Sequence, residues 1–421
     1  MRALIRILLL VFLAAACFLF ACSDEGDDCD ECSAPEDDDD SSDDDNDDAS
    51  GERPPSVYSP TMVVPSAGLP PEVALQQANN NLDVVKHEGR VFLAFRTGPF
   101  HFASRRVEIY VVSSEDQENW DFEMTYAMGA DLRETRLLSW DGRLFLYFSV
   151  LGINPLDFEP QGMMVSEYLG PGDWTEPEWF YEEGLIAWRT KTVDGVPYML
   201  AYKGGEGIYD ASPDPIRVHW LTTDDGYNWE PVIPGQPVVL EGGSSETDFV
   251  FMDDGSLVAV SRNEMGDESG WGMKICRAEA QTLGQWECVN DPRKFDSPLM
   301  FRHGPDAYLI GRRNLNGTGY YDLGYDDMSP TLQQLLYELI YWFYPKRCSL
   351  WRVDPETLDV SFVVDLPSRG DTCFPALIRT DETRYQVYNY TSPLDGPDVI
   401  WVKGQLGPTH VVRTTLEFPD S

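Results

Sequence analysis

Hydrophobic and polar positions alternate along most of the chain from about residue 80 onward, and six times a tight polar turn interrupts the alternation before it resumes. The turns are Glu88-Gly89, Asp141-Gly142, Asp194-Gly195, Asp254-Gly255, Gly304-Pro305-Asp306 and Asp381-Glu382. An acidic residue followed by glycine, between runs of β-branched and aromatic residues, predicts a β-hairpin. A second punctuation crosses the same region: Trp120, Trp174, Trp229 and Trp286 recur at intervals of 54, 55 and 57 residues, each just after a polar turn. Six hairpins, each followed by a second hairpin that carries the tryptophan turn, give about four strands per unit. Radial repetition of four-stranded sheets makes a β-propeller. The predicted fold is therefore all-β, a six-bladed β-propeller of four-stranded blades over residues 56–421, with five blades as the alternative count and a β-sandwich pair as the competing architecture. Leu332, Leu335, Leu336, Leu339 and Ile340 follow helical spacing instead and predict a short helical insert over 331–344, in the fifth unit.

The N-terminal part reads differently. Arg2 and Arg6 precede an apolar run over 7–21 that stops at Cys22-Ser23-Asp24-Glu25. Fifteen apolar residues are short for a spanning helix and suit a signal-peptide core. Leu19-Phe20-Ala21-Cys22 resembles a bacterial lipobox, which implies cleavage before Cys22 and lipidation of its thiol; Cys17, after three alanines, is the rival site. Ser23 after that cysteine resembles the sorting pattern of outer-membrane lipoproteins, so the expected location is the bacterial cell envelope. Residues 23–52 hold 17 acidic side chains and no Lys or Arg, so 22–55 reads as a solvated, disordered tether.

Composition matters once this tether is set aside. The whole chain of 421 residues carries a formal charge of −41, whereas residues 53–421 hold 55 acidic against 29 basic side chains, about −26. No basic patch interrupts the acidity, which excludes a nucleic-acid partner. Export also sets the cysteine reading, because thiols outside the cytosol tend to pair. Cys276 with Cys288 across an outer hairpin, and Cys348 with Cys373 on one face, are the expected disulfides. Cys29 and Cys32 form a CxxC inside the acidic tether, away from any redox-fold context.

The stretch Thr222-Thr223-Asp224-Asp225-Gly226-Tyr227-Asn228-Trp229 resembles the Asp box of sialidases, S-x-D-x-G-x-T-W, with Thr for Ser and Asn for Thr. Residues 113–120 form a poorer copy, with Glu115 and Gln117 at the Asp and Gly positions. The resemblance spans roughly 80–421. It implies a sialidase-superfamily propeller, since an Asp box braces a hairpin and argues for fold. Furanosidase and mannoside-phosphorylase propellers share patterns like Asp131-Leu132-Arg133-Glu134-Thr135-Arg136 before an Asp-Gly hairpin, and are the competing relatives.

Propeller topology brings the start of each first strand and the end of each second strand to one face. The starts offer Asp83, Arg133 with Glu134, Arg189, Glu246 and Asp296, and the ends offer Arg96, Lys203, Arg262, and Arg312 with Arg313; loops add His101, Glu206 and Glu264. Arginine forks suit carboxylate recognition and paired carboxylates suit glycoside hydrolysis. The expected catalytic residues are Glu246, Glu134 and Asp83, and the expected substrate-binding residues are Arg96, Arg262, Arg312, Arg313, Arg189 and Asp296. The resemblance implies that Glu246 activates a Tyr nucleophile while Arg262 and Arg312 or Arg313 hold a substrate carboxylate. The sixth unit, however, reads Cys373-Phe374-Pro375 where that Tyr belongs, with Tyr388 and Tyr390 as local substitutes. Trp188, Trp271, Tyr209, Tyr320 and Tyr321 are candidates for stacking on sugar rings. His87, His101, His219, His303 and His410 are scattered without metal-ligand spacing, and Tyr325-Asp326-Asp327 reads as a solvated loop. No cofactor or metal is expected. The function that follows is an exported, lipid-anchored, monomeric glycoside hydrolase of sialidase type, or a non-catalytic glycan-binding propeller.

Overall fold

The computed structural model describes residues 53–155, 158–204 and 215–419. The signal segment, Cys22, the tether with Cys29 and Cys32, Glu206 and Tyr209 lie outside the described residues. The chain divides into the units Met1–Pro54 and Pro55–Ser421. The second is a six-bladed β-propeller.

In the first blade Ala78–His87, Arg90–Gly98, Glu108–Ser114 and Asp121–Tyr126 follow one another outward as an antiparallel meander. The same order restarts at Asp131–Trp140, Leu185–Val193, Ser244–Phe251, Leu299–His303 and Ala376–Arg379. These first strands touch one another around the axis. The acidic-Gly hairpins form as the sequence predicts: Glu88 and Gly89, Asp141 and Gly142, and Asp194 and Gly195 all have positive φ. Two left-handed residues match the twist of the paired strands, which is why Gly is needed at the second position. Each recurring tryptophan marks the fourth strand of its blade, as Trp120 and Trp286 precede theirs, Trp229 opens one and Trp174 ends one.

Two polar turns are braced in the same way. The Thr223 hydroxyl accepts the amides of Asp225 and Gly226 and donates to the Asn228 carbonyl, while Asp225 accepts the amides of Tyr227 and Asn228. Ser114 and Asp116 repeat this, with Gln117 at φ 62° taking the position of Gly226. The bracing pair sits one residue later than the motif comparison puts it. Side chains alternate along a strand, so the inward hydroxyl is that of Thr223; Thr222 faces the other way and bonds the Pro197 carbonyl.

Six apolar clusters fill the spaces between successive blades. Strands buried on both faces therefore read as continuous apolar runs, such as Val91 through Phe95 and Leu144 through Phe148. The ring closes through the chain start: Ser56–Val57 and Thr61–Val64 pair with the last strand, His410–Glu417, and complete the sixth blade. Both expected disulfides are present. Cys276 and Cys288 face each other across the third and fourth strands of blade four, and Cys348 joins Cys373 from blade five to the head of blade six.

The helical insert is Pro330–Trp342, between the second and third strands of blade five, with proline in the first turn where its missing N–H costs nothing. The buried face carries Gln333, Gln334, Tyr337 and Tyr341, while Leu332 is 56% exposed. Gln333 bonds Trp271 Nε1 and the Tyr325 carbonyl, the Tyr337 hydroxyl accepts the Tyr325 amide, and the Tyr341 hydroxyl donates to Asp296, so these partners set the buried face rather than the leucine spacing. No described helix is long and apolar enough to cross a membrane.

Candidate functional site at the blade axis

The first strands of blades one to four each carry a register shift near their start, at Asn80/Asp83, Arg133/Arg136, Ala187/Arg189 and Ser244/Thr247. A bulge inserts an unpaired residue and re-aims a side chain. Asn81 and Glu134 adopt φ 44° and 48° there. Asn81, Glu134, Trp188 and Glu246 occupy these shifted stretches, so the same local device repeats around the ring.

Arg262, midway along the second strand of blade four, Leu257–Asp267, sits between two carboxylates. Its Nη1 lies 2.8 Å from Glu246 and 3.5 Å from Glu264, and its Nε donates to Ser245 Oγ at 3.0 Å. The other oxygen of Glu246 accepts the Ser297 amide at 2.7 Å. Burial pushes the Glu246 carboxyl up, against the pull of Arg262. For Glu264 burial pushes the same way but Arg262 and Lys294 outweigh it, so this carboxyl is held low. Environment thus separates the two acids, the arrangement that assigns proton donor and acceptor roles.

A polar chain continues toward blade six. Lys294 reaches Glu264 at 2.5 Å and Glu338, from the helical insert, at 3.2 Å. Asp296 accepts Arg312 Nη1 at 3.0 Å and the Tyr341 hydroxyl at 2.8 Å. Arg312 also donates to the carbonyls of Thr372 and Cys373 and lies over Trp401, 4.9 Å from the ring centroid. Trp401 Nε1 and the Tyr390 hydroxyl donate to one oxygen of Asp371, and His101 Nδ1 lies 2.6 Å from the other. Arg133 Nη2 donates to the His101 carbonyl at 2.7 Å and its Nε pairs with Asp131.

Of the expected site residues, Glu246 pairs with Arg262, Asp296 with Arg312, and Glu134 lies beside Arg136, while four others are engaged in holding the blades. Asp83 is a strap between blades: it accepts the Leu137 amide of blade two at 2.8 Å, as Asp248 accepts Met300 of blade five at 2.7 Å. Arg96 is buried, its amino groups held by Asn80, Asp131 and the carbonyls of Phe100 and Phe102. Arg313 turns away from Arg312, as successive strand residues must, and pairs with Asp365. Arg189 donates to the Pro298 carbonyl and lies 3.5 Å from Asp248. Of the stacking candidates among the described residues, Trp188, Trp271 and Tyr321 are buried and Tyr320 is exposed. Tyr388 bonds Gln117 instead of facing the axis.

Sequence reasoning missed Arg136, Lys294, Glu338, Tyr341, Asp371 and Trp401. Arg136 is fully buried beside Glu134, its guanidinium between Trp188 and Phe374 at 4.8 and 4.5 Å. The one usable signal was position, since Arg136 follows Arg133 and Glu134 in the same first strand, Asp131–Trp140. Among the described residues no cluster of His, Cys, Asp and Glu has metal-holding geometry.

Several solved structures share this architecture. A protein of unknown function from Dyadobacter fermentans superposes with a TM-score of 0.55 at 16% identity, over 81% of this chain and 95% of that one. The phage phi92 endosialidase gives 0.52 at 10%, over 80% and 67%. The Trypanosoma rangeli sialidase in complex with sialic acid gives 0.53 at 11%, over 86% of this chain and 57% of its own. The fold is that of a sialidase propeller. No protein-family model matches the chain, and no curated protein matches it.

Proposed function

We propose that this chain is an exported, lipid-anchored glycoside hydrolase, sialidase-like, that acts on extracellular glycans at the axial face of its propeller. The observation that carries this reading is the Glu246–Arg262–Glu264 cluster: one guanidinium between two carboxylates of opposite protonation tendency, on the face where bulged strands point their side chains. Glu246 is then the proton donor, while Arg262, whose guanidinium stays partly exposed, holds anionic or hydroxyl groups of the sugar and Arg312 positions Asp296. Glu134, partly exposed and bonded only by Asn81 and a 3.9 Å approach from Arg136, completes the carboxylate set. The braced turns are degenerate Asp boxes in this reading. Cys22 is the lipidated residue, and the acidic tether holds the propeller off an anionic membrane of the bacterial cell envelope. The likeness to glycan-acting propellers supports a carbohydrate partner.

One observation favours the second reading, a non-catalytic glycan-binding propeller. Asp131, Asp248, Asp296 and Asp371 are all occupied by protein partners, and Phe374 stands where a Tyr nucleophile belongs. A turnover screen on sialosides and aryl glycosides separates the two. Hydrolysis that falls at least ~100-fold in Glu246→Gln supports the enzyme; binding without hydrolysis supports the alternative.

A further inference from the structure

His101 lies in the loop after the second strand of blade one, and its Nδ1 is 2.6 Å from Asp371 Oδ2. Asp371 is fully buried, and its other oxygen is filled by the Tyr390 hydroxyl and Trp401 Nε1, two donors. A carboxylate ringed by donors takes the Nδ1 proton as well, which fixes the tautomer and leaves the Nε2 lone pair outward. Among the described residues no group bonds Nε2, and the side chain keeps 14% of its surface accessible. The loop is pinned at both ends of this residue, with the His101 amide on the Gln405 carbonyl and the His101 carbonyl on Arg133. An imidazole held this firmly, with one ring nitrogen left without a protein partner among the described residues, is suited to proton transfer.

We propose that His101, oriented by Asp371, is the base of the axial site and accepts a proton from the attacking water. This rests on the hydrolase reading above. In a ring of six blades the first stands opposite the fourth, so the blade that carries the His101 loop lies across the axis from the strand that carries Glu246. In the displacement the water oxygen bonds to the anomeric carbon while one of its protons passes to His101 Nε2. The bond from that carbon to the leaving oxygen breaks, its electron pair stays on the leaving oxygen, and the Glu246 carboxyl supplies the proton. Exchange of one proton with solvent then resets imidazolium and carboxylate. Base and acid on opposite sides of the scissile bond produce inversion at the anomeric carbon. No nucleophilic Tyr is needed, which accounts for Phe374.

The groups facing His101 are Asp371 and Tyr390 from blade six, Arg133 from blade two and Arg96 from its own blade. Burial draws the imidazole down, Asp371 opposes this, and the two arginines reinforce it, so the environment favours the neutral imidazole, the form that accepts a proton.

The test uses the full chain with 4-nitrophenyl glycosides and a 4-methylumbelliferyl sialoside. His101→Gln is expected to lower kcat ~100-fold or more with little change in KM, and to remove the acid limb of the kcat/KM pH profile. Added imidazole is expected to restore part of the activity to His101→Gly, which no structural defect would permit. The product is expected as the inverted anomer by proton NMR. Independently of turnover, nitrogen-15 NMR of the imidazoles, with His101 assigned by its loss in His101→Gln, is expected to show Nδ1–H and a bare Nε2 at pH 7. An Nε2–H tautomer, retained configuration, or full activity in His101→Gln overturns the role of His101 while leaving the hydrolase reading intact. No turnover on the whole panel overturns both.

Discussion

Among single side chains, Arg136 is the charge whose burial is hardest to account for by chance. It lies between Trp188 and Phe374, and its Nε and Nη2 find no hydrogen-bond acceptor. Burial and the neighbouring Arg189 push its pKa down to about 10, while Asp83 and Glu134 oppose that. The residue neutralises Asp83, whose own carboxyl is pushed up by burial first and lowered by Arg136 and Arg189. Arg136→Met is therefore expected to destabilise the protein by about 3 kcal/mol, because it strands a buried carboxylate; thermal and urea unfolding measure this. Glu246 gives a pH prediction. Its folded pKa lies above the ordinary 4.5, so its contribution to stability is full below pH 4.5 and is lost as pH rises through the raised folded value. The melting temperature of the native chain is expected to fall between pH 5 and pH 8 by more than that of Glu246→Gln. An equal fall in both would place the pH dependence elsewhere.

For the structural elements, the braced turns and the disulfides can be tested one by one. Thr223 is buried and makes three hydrogen bonds that hold one turn, so Thr223→Val is expected to cost about 2 kcal/mol, read from chemical unfolding. The Asp225 carboxyl resists acid: burial raises its pKa, but the Asn228 amide and side chain outweigh this and hold it at about 2, so its support for the turn is present above pH 3.8 and lost as pH falls through about 2. Replacing both Cys276 and Cys288 by Ser removes a cross-link closing a loop of 12 residues, at an expected cost of about 3 kcal/mol. Hairpins, tryptophan turns and both disulfides were legible in the sequence because each depends on neighbours within a few strands. The helix face was not, since leucine spacing competes with hydrogen-bond partners that only the assembled blade provides. The site was half legible for the same reason. Topology placed Glu246, Arg262 and Arg312 together, yet whether an Arg remains accessible is decided by its partners. Arg96 is consumed by Asp131 and two carbonyls, whereas Arg262 keeps a partly open guanidinium. Asp371 and Trp401 lie far from the other site residues in sequence, with no motif to mark them.

At the scale of the whole molecule, closure and charge distribution matter most. The sixth blade borrows its outer strands from Ser56–Val57 and Thr61–Val64, so the two ends of the propeller chain are fastened in one sheet. A protein beginning at residue 55 is expected to melt at the same temperature as the full chain. One beginning at residue 65 exposes the edge of His410–Glu417 and is expected to melt lower and to aggregate, as scanning calorimetry and size-exclusion chromatography would show. The formal charge of −41 likewise resolves into parts: a stretch of 17 acids before residue 53, and a propeller in which Arg262, Lys294 and Arg312 gather with Glu246, Glu264 and Asp296. That gathering is the central claim, and a crystal of the native protein soaked with a hydrolysed glycoside or its sugar product tests it most directly. The account expects the sugar on the axis, in contact with Arg262 and between His101 and Glu246. A sugar bound without contact to Arg262, His101 or Glu246, for instance in the 410 Å³ cleft lined by Arg293, Arg312, Arg313 and Phe362, would contradict it.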